Sequence, residues 1–300
     1  MAKRTPVARH AGRSGGRFFG NSPKPPSGAK TMNIRIENLS FRYPNGVLAL
    51  SGVSLEIAPG EQVAIIGQNG AGKTTLVKHL NGLLLPTEGR VLIGDWDTRQ
   101  YPVAKLARRV GYVFQNPDEQ LFTKTVADEI AFGPRNLGYS NERIQTLVED
   151  ALQLTQLQEM HTMNPYDLSP TWRKMVAVAS ILAMDTPILI FDEPTTGQDA
   201  ASVERLATII AEMKRRGKTV LTITHDIDFC AENFERVIVM GGGKVLLDGA
   251  AREVLGQEEI LAQTYVDPPQ ITRLGLRLGL AEIVCTPQEF LDAFEQHCAA

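Results

Sequence analysis

Apolar and polar positions alternate across residues 33–57, with Ile34, Ile36 and Leu39, then Leu50, Val53, Leu55 and Ile57 on the apolar side. A period of two marks half-buried strands, and Pro44-Asn45-Gly46 between the runs predicts a turn and antiparallel pairing. The pattern then changes. Residues 63–66 form a short, wholly apolar run that reads as a buried strand, and residues 74–80 are amphipathic with a helical period. Residues 89–94 and 110–114 read as two more strands. From about 116 to 172 helical periodicity takes over, in Val126-Ala127-Ile130-Ala131 and in Ile144-Leu147-Val148-Ala151-Leu152-Leu154, so this stretch reads as a helical insert.

Ser169-Pro170 restarts a helix, Ser as N-cap and Pro at the first helical position, with Met175, Val178, Ile181 and Leu182 as its apolar face. Residues 187–191 are fully apolar, as a parallel strand covered on both faces should be, and they end at Asp192-Glu193. A helix over 201–216 follows, then a strand over 219–223 that ends at Thr224-His225-Asp226, then strands over 237–240 and 244–248 around Gly241-Gly242-Gly243. Strands alternating with helices predict a doubly wound α/β core. Residues 251–300 form an appendage. Pro268-Pro269 marks a break, Ile271, Leu274, Leu276, Leu278 and Leu280 form a short apolar segment, and Thr286-Pro287-Gln288-Glu289 starts a helix for Phe290, Leu291 and Phe294.

Composition narrows the class without changing this outline. The 300 residues are 43% hydrophobic and 22% charged, with net charge −3, the balance of an ordinary globular chain and not of a nucleic-acid binder. No apolar run approaches the roughly 18 to 20 residues that cross a bilayer, so any membrane role must come through a partner. Cys230, Cys285 and Cys298 are scattered and the five histidines dispersed, which predicts neither a disulfide framework nor a zinc cluster. Residues 1–31 carry Lys3, Arg4, Arg9, Arg13, Arg17, Lys24 and Lys30 and no acid, in a Gly-, Ser- and Pro-rich background. Such a stretch cannot bury a core, so it reads as a disordered basic tail. Three origins are open for it: a tail that touches anionic lipid or nucleic acid, an organelle transit peptide, or a non-native extension. Met32 directly precedes the first strand-like run, which favours the last, or a bland tail, over targeting. The expected division is therefore 1–31, a main domain over 32–250 and the appendage over 251–300.

The chemistry centres on Gly67-Gln68-Asn69-Gly70-Ala71-Gly72-Lys73-Thr74-Thr75, which fits G-x-x-x-x-G-K-[ST] between a strand and a helix. Glycines let backbone N–H groups curl round a polyphosphate, and the following helix points its positive end at the same anion. Lys73 supplies charge for the β and γ phosphates and Thr74 a hydroxyl for Mg²⁺. Asp192 at a strand end is placed to hold Mg²⁺, directly or through water, and Glu193 to orient or deprotonate the attacking water. Gln115 and His225 end two other strands. Gln115 is a candidate for the metal or the water, His225 for the γ phosphate. Tyr43 is either core or a platform for a nucleotide base.

Together these residues resemble the nucleotide-binding subunit of ABC transporters over about residues 33–250. The loop 67–75 is similar to its Walker A motif, and Ile188-Leu189-Ile190-Phe191-Asp192-Glu193 to its Walker B strand with the catalytic Glu193. Gln115 is similar to the Q-loop, Asp199 to the D-loop, His225 to the switch histidine and Tyr43 to the adenine-stacking aromatic. The resemblance implies a P-loop ATPase with an antiparallel β subdomain that binds ATP and Mg²⁺. Residues 113–122 and 129–138, with the tail motifs Pro268-Pro269-Gln270 and Thr286-Pro287-Gln288, resemble more closely the energy-coupling-factor importers of vitamins and of cobalt or nickel. That closer resemblance implies a second ABC ATPase subunit, a membrane scaffold subunit, a substrate-binding membrane subunit and a place on the cytoplasmic face of the cell membrane; no nucleic acid is expected.

One motif departs from the pattern. Where the ABC signature reads LSGGQ, this chain has Leu168-Ser169-Pro170-Thr171-Trp172. Ser169, the residue expected to touch phosphate, survives. Pro170 removes one N–H and Thr171 adds a side chain where glycine allows close approach. Each lost bond to a charged phosphate costs about 1.5 to 3 kcal/mol, so the departure predicts one weak ATP site and hence a heterodimer. Gln198 before Asp199 is a milder change. Two competing readings are a soluble, non-transport ABC ATPase and a nucleotide-binding pseudo-ATPase subunit.

Overall fold

The computed structural model describes residues 32–299, and the predicted disordered tail lies outside the described residues. The strands are β1 (Ile34–Arg42), β2 (Leu48–Ile57), β3 (Gln62–Ile66), β4 (Glu88–Ile93), β5 (Trp96–Asp97), β6 (Val110–Val113), β7 (Ile188–Asp192), β8 (Thr219–Ile223), β9 (Arg236–Gly241) and β10 (Lys244–Ala250). The helices are α1 (Lys73–Leu80), α2 (Val103–Leu106), α3 (Val126–Asn136), α4 (Asn141–Thr155), α5 (Pro170–Leu182), α6 (Ala200–Arg215), α7 (Ile227–Asn233), α8 (Ala251–Leu255), α9 (Glu258–Ala262), α10 (Gln270–Leu278) and α11 (Pro287–Ala299). The alternating run at the start becomes an antiparallel sheet in the order β2-β1-β4-β5. The apolar runs become a six-stranded sheet in the order β10-β9-β3-β8-β7-β6, parallel from β9 to β6 with β10 antiparallel at one edge.

Strand periodicity divides the core in two. Val63, Ile65, Ile188, Ile190, Leu221, Ile223 and Ile238 point to one face, where they meet β1, β2, β4 and the apolar side of α1. Ala64, Ile66, Leu189, Phe191, Val220, Val237 and Val239 point to the other, under α3, α4, α5 and α6. The expected α/β core with an antiparallel β subdomain is what forms: among the described residues α1 and the antiparallel sheet cover the first face. The reason is compositional. Ile34, Ile36, Leu50, Val53 and Ile57 give β1 and β2 one apolar face each, and that face is buried against the larger sheet.

The appendage contains α10 and α11. Leu274, Leu276 and Leu278 of α10 are exposed while Leu280 is buried, so the predicted apolar segment is a helix that leaves three leucines in solvent. The predicted start of α11 is a capping box. Glu289 N–H donates to Thr286 Oγ1 (3.3 Å), and Glu289 Oε2 accepts from the N–H groups of Cys285 (2.7 Å) and Thr286 (3.3 Å).

Candidate functional site: a phosphate loop at three strand ends

Register brings the chemistry together. Ile65 of β3 lies beside Ile223 of β8, and Ile223 beside Asp192 of β7. The loops that leave these strands, at Gly67, Glu193 and Thr224-His225, therefore open at one edge of the sheet. Ligands of open α/β sheets bind in the crevice outside such C-terminal strand ends.

The loop from β3 to α1 needs its glycines. Gly67 has φ +139° and a Cβ there would lie 2.1 Å from the Met240 carbonyl oxygen. Gly72, the residue before α1, has φ +98° and a Cβ would lie 2.7 Å from the Ala49 carbonyl. No other residue fits either place without moving backbone. Lys73 is 6% exposed. Its ammonium donates to the carbonyls of Gly67 (2.6 Å) and Gln68 (3.1 Å) and lies 3.3 Å from His225 Nε2. Burial lowers the pKa of Lys73, and the nearby charges of Glu193 and Asp192 oppose that shift.

Asp192 is buried at 2% exposure and both its oxygens are engaged. Thr74 Oγ1 donates to Oδ1 at 3.2 Å, and the Tyr112 hydroxyl donates to Oδ2 at 2.6 Å. Glu193 takes a positive φ of +49°, uncommon for a residue with a side chain. Its N–H donates to the Ile223 carbonyl at 2.9 Å, which fixes the bend. Its carboxylate, 4% exposed overall, lies 3.0 Å from His225 Nε2 and accepts from Thr196 Oγ1 at 3.3 Å.

A cavity of about 480 Å³ lies over this group. It is lined by the phosphate loop from Asn69 to Thr75, by Tyr43, Val47, Leu48 and Ala49, and by Gln115, Glu193, Thr196 and His225. Tyr43 is half-buried, its ring edge-on to Phe41 and its hydroxyl 3.0 Å from Thr75 Oγ1. It is therefore both packed and open to the cavity, which the sequence left as alternatives.

Five predicted residues fall elsewhere or less close, one of them Asp192, which lies behind Thr74 and does not line the cavity. Gly67 and Gln68 lie beneath the cavity and act through their carbonyls on Lys73. Gln115 is exposed at the rim, and its side chain forms no hydrogen bond to Asp192 or Thr74 among the described contacts. Ser169 is exposed and outside the cavity. It stands at the N-cap position of α5 as predicted, but its side chain makes no capping bond there. Sequence reasoning missed Thr196, Tyr112 and Lys174. Lys174, on α5, is buried and donates to the carbonyls of Phe114 (3.3 Å) and Gln115, so it fixes the end of β6. No spacing rule marks these three residues; only the fold gathers them.

The oxygens of Thr74 and Asp192, both hard donors on one side of the phosphate loop, fit a small divalent cation such as Mg²⁺. No helix among the described residues is long and apolar enough to cross a membrane.

Residues 50–196 match the profile of the ABC transporter family. A relative from Methanosarcina acetivorans, named as an ABC transporter ATP-binding protein, is 43% identical over 86% of this chain. The chain spans only 42% of that relative's length. The energy-coupling factor transporter ATP-binding protein EcfA of Methanothermobacter thermautotrophicus is 38% identical over 83% of this chain and 80% of its own. Among solved structures, cbiO1 from Clostridium perfringens, part of the ABC transporter complex cbiONQ, superposes with a TM-score of 0.70 at 33% identity, over 83% of this chain and 100% of that one. Phosphate loop, strand-end acids and extended likeness converge: the chain belongs to the ABC transporter ATPases, in the group of energy-coupling-factor transporter ATP-binding proteins.

Proposed function

We propose that this chain binds and hydrolyses MgATP to energise an energy-coupling-factor type importer for a vitamin or a transition-metal ion. The observation that carries the proposal is the convergence of Lys73, Thr74, Glu193 and His225 on one cavity, with Asp192 held just behind it by Thr74. In this reading the glycine loop and Lys73 hold the β and γ phosphates, and Tyr43 meets the base. Thr74 and Asp192 hold Mg²⁺, which when bound neutralises charge on the phosphates. Glu193 orients and deprotonates the water that attacks the γ phosphorus, and ADP leaves with the bonding pair. His225 holds Glu193 and senses the γ phosphate. Gln115 swings in from the rim when nucleotide is present. We assign 32–250 to the ATPase domain, with the insert at about 116–172, and 251–300 to an appendage.

The EcfA and cbiO1 likenesses support partners of the corresponding kinds. We assign a second ATPase subunit, a membrane scaffold subunit and a substrate-binding membrane subunit, with the chain on the cytoplasmic face. The departure at Pro170-Thr171-Trp172 favours a heterodimer in which Ser169 faces the other subunit's nucleotide. The stretch from Gln115 to Phe122, with Phe122 and Phe132 exposed and packed edge to face, is the surface assigned to the scaffold. Calorimetry with MgATP tests the binding step: the chain binds, and Lys73→Ala does not. Equal affinity in both would remove the cavity from this role.

A further inference from the structure

Tyr112 is a core residue by its ring and an active-site residue by its hydroxyl. Its ring packs with Ile188, Ile190 and Leu221 between the two sheets and tilts against Phe114 at 4.8 Å. Phenylalanine would fill that space equally well. The hydroxyl does something the ring cannot. It donates to Asp192 Oδ2 at 2.6 Å, with the tyrosine 5% and the aspartate 2% exposed. Two half-buried tyrosines spend their hydroxyls differently, Tyr139 on the Met184 carbonyl and Tyr43 on Thr75.

The bond reaches across neighbouring strands. Tyr112 of β6 pairs in register with Ile190 of β7, two residues before Asp192, so the phenol extends towards the end of β7. The carboxylate torsion of an aspartate is broad, and one partner on Oδ1 would leave it free to swing. With Tyr112 on Oδ2 and Thr74 on Oδ1, the plane of the group is fixed. Partners behind a metal-binding carboxylate control its orientation and basicity.

We propose that Tyr112 is a positioning residue for the metal: its hydroxyl holds Asp192 so that Oδ1 faces the cation beside the Thr74 hydroxyl. The proposal deepens the MgATP reading above and rests on it. The test uses Mn²⁺ as a spectroscopic stand-in for Mg²⁺, with a nonhydrolysable ATP analogue. Free Mn²⁺ is followed by electron paramagnetic resonance during titration of the unaltered chain and of Tyr112→Phe. The analogue's affinity without metal is measured in parallel by calorimetry. Tyr112→Phe weakens Mn²⁺ binding about 10-fold or more, the scale of such outer partners, and leaves metal-free nucleotide affinity unchanged. Equal Mn²⁺ affinity overturns the proposal. Parallel loss of metal-free nucleotide affinity also overturns it, because the residue would then be serving the packing of the cavity. Absence of nucleotide-dependent Mn²⁺ binding in the unaltered chain overturns the metal site itself, an outcome distinct from both. Thr74→Ala serves as the control that must weaken Mn²⁺ binding if the site is where the geometry places it.

Discussion

At Glu193 a positive φ, a buried carboxylate and a contact to His225 coincide. Backbone held in that region costs about 1 to 3 kcal/mol, and such strain gathers at functional sites. Glu193→Gln keeps the size and the bend but removes the base. The variant retains MgATP in calorimetry and loses phosphate release in the assembled transporter; turnover at the unaltered rate from this site would remove Glu193 from its role. Lys174 makes a second residue-scale case. Burial pushes its pKa down to about 8 from 10.5, against the pull of Asp192 and Glu193. Below pH 8 the cost of the buried ammonium is fully present. Between pH 8 and 10.5 the unfolded chain binds more protons than the folded one, so stability rises with pH by up to about 3 kcal/mol. Urea unfolding shows that rise as the difference in pH dependence between the unaltered chain and Lys174→Met. Lys73, Thr74, Asp192, Glu193 and His225 were legible in the sequence because each follows an apolar run by a fixed step. Tyr112 was not, because its meaning depends on which strand lies beside β6, and a strand order is absent from local pattern.

Elements were legible where periodicity ran long enough. The run over 219–223 became β8 with the same ends, and the helix expected over 201–216 became α6 with ends one residue earlier. The short helices α2, α7, α8 and α9, of four to seven residues, contain too few turns for a period to show. The antiparallel β subdomain was legible in the sequence, but its seat on the first face was not, because strand–helix alternation is local while the seat of β1 and β2 is decided by where their apolar faces can be buried. A cap signal, by contrast, is local and was read correctly at α11. Its test is also local. Thr286→Ala removes the hydroxyl that accepts from Glu289 N–H and costs about 1 kcal/mol. Hydrogen exchange quickens in the first turn of α11, while the amides of β7 and β8 keep their protection. Equal loosening of both regions would mean that the appendage and the sheet open as one cooperative unit.

For the whole molecule the start of α5 decides the arrangement. In the proposed heterodimer each nucleotide would lie between one subunit's phosphate loop and the signature of the other, so Leu168-Ser169-Pro170-Thr171-Trp172 would serve a site that this chain does not itself contain. Trp172 has been put to other use: its ring lies under the Arg205 guanidinium, 4.8 Å from its centre, and it packs against the helical core. That contact ties α5 to α6, whose first residue follows the Asp199 cap. A homodimer would present Pro170 and Thr171 to both nucleotides, each lacking bonds worth about 1.5 to 3 kcal/mol to a charged phosphate. A partner with an intact signature would complete the site built on Lys73, Asp192, Glu193 and His225, and its own site would remain slow. The expected outcome is a low ATPase rate for this chain alone and a high rate for the pair, with most of it lost on Glu193→Gln here. Strong activity from the chain alone, or a full rate in the pair carrying Glu193→Gln, would rule the asymmetry out. The combined change Pro170→Gly, Thr171→Gly and Trp172→Gln should raise the rate of the second site. It should also lower stability by about 0.5 to 2 kcal/mol through loss of the cation–π contact, so the gain in rate is measured below the onset of melting.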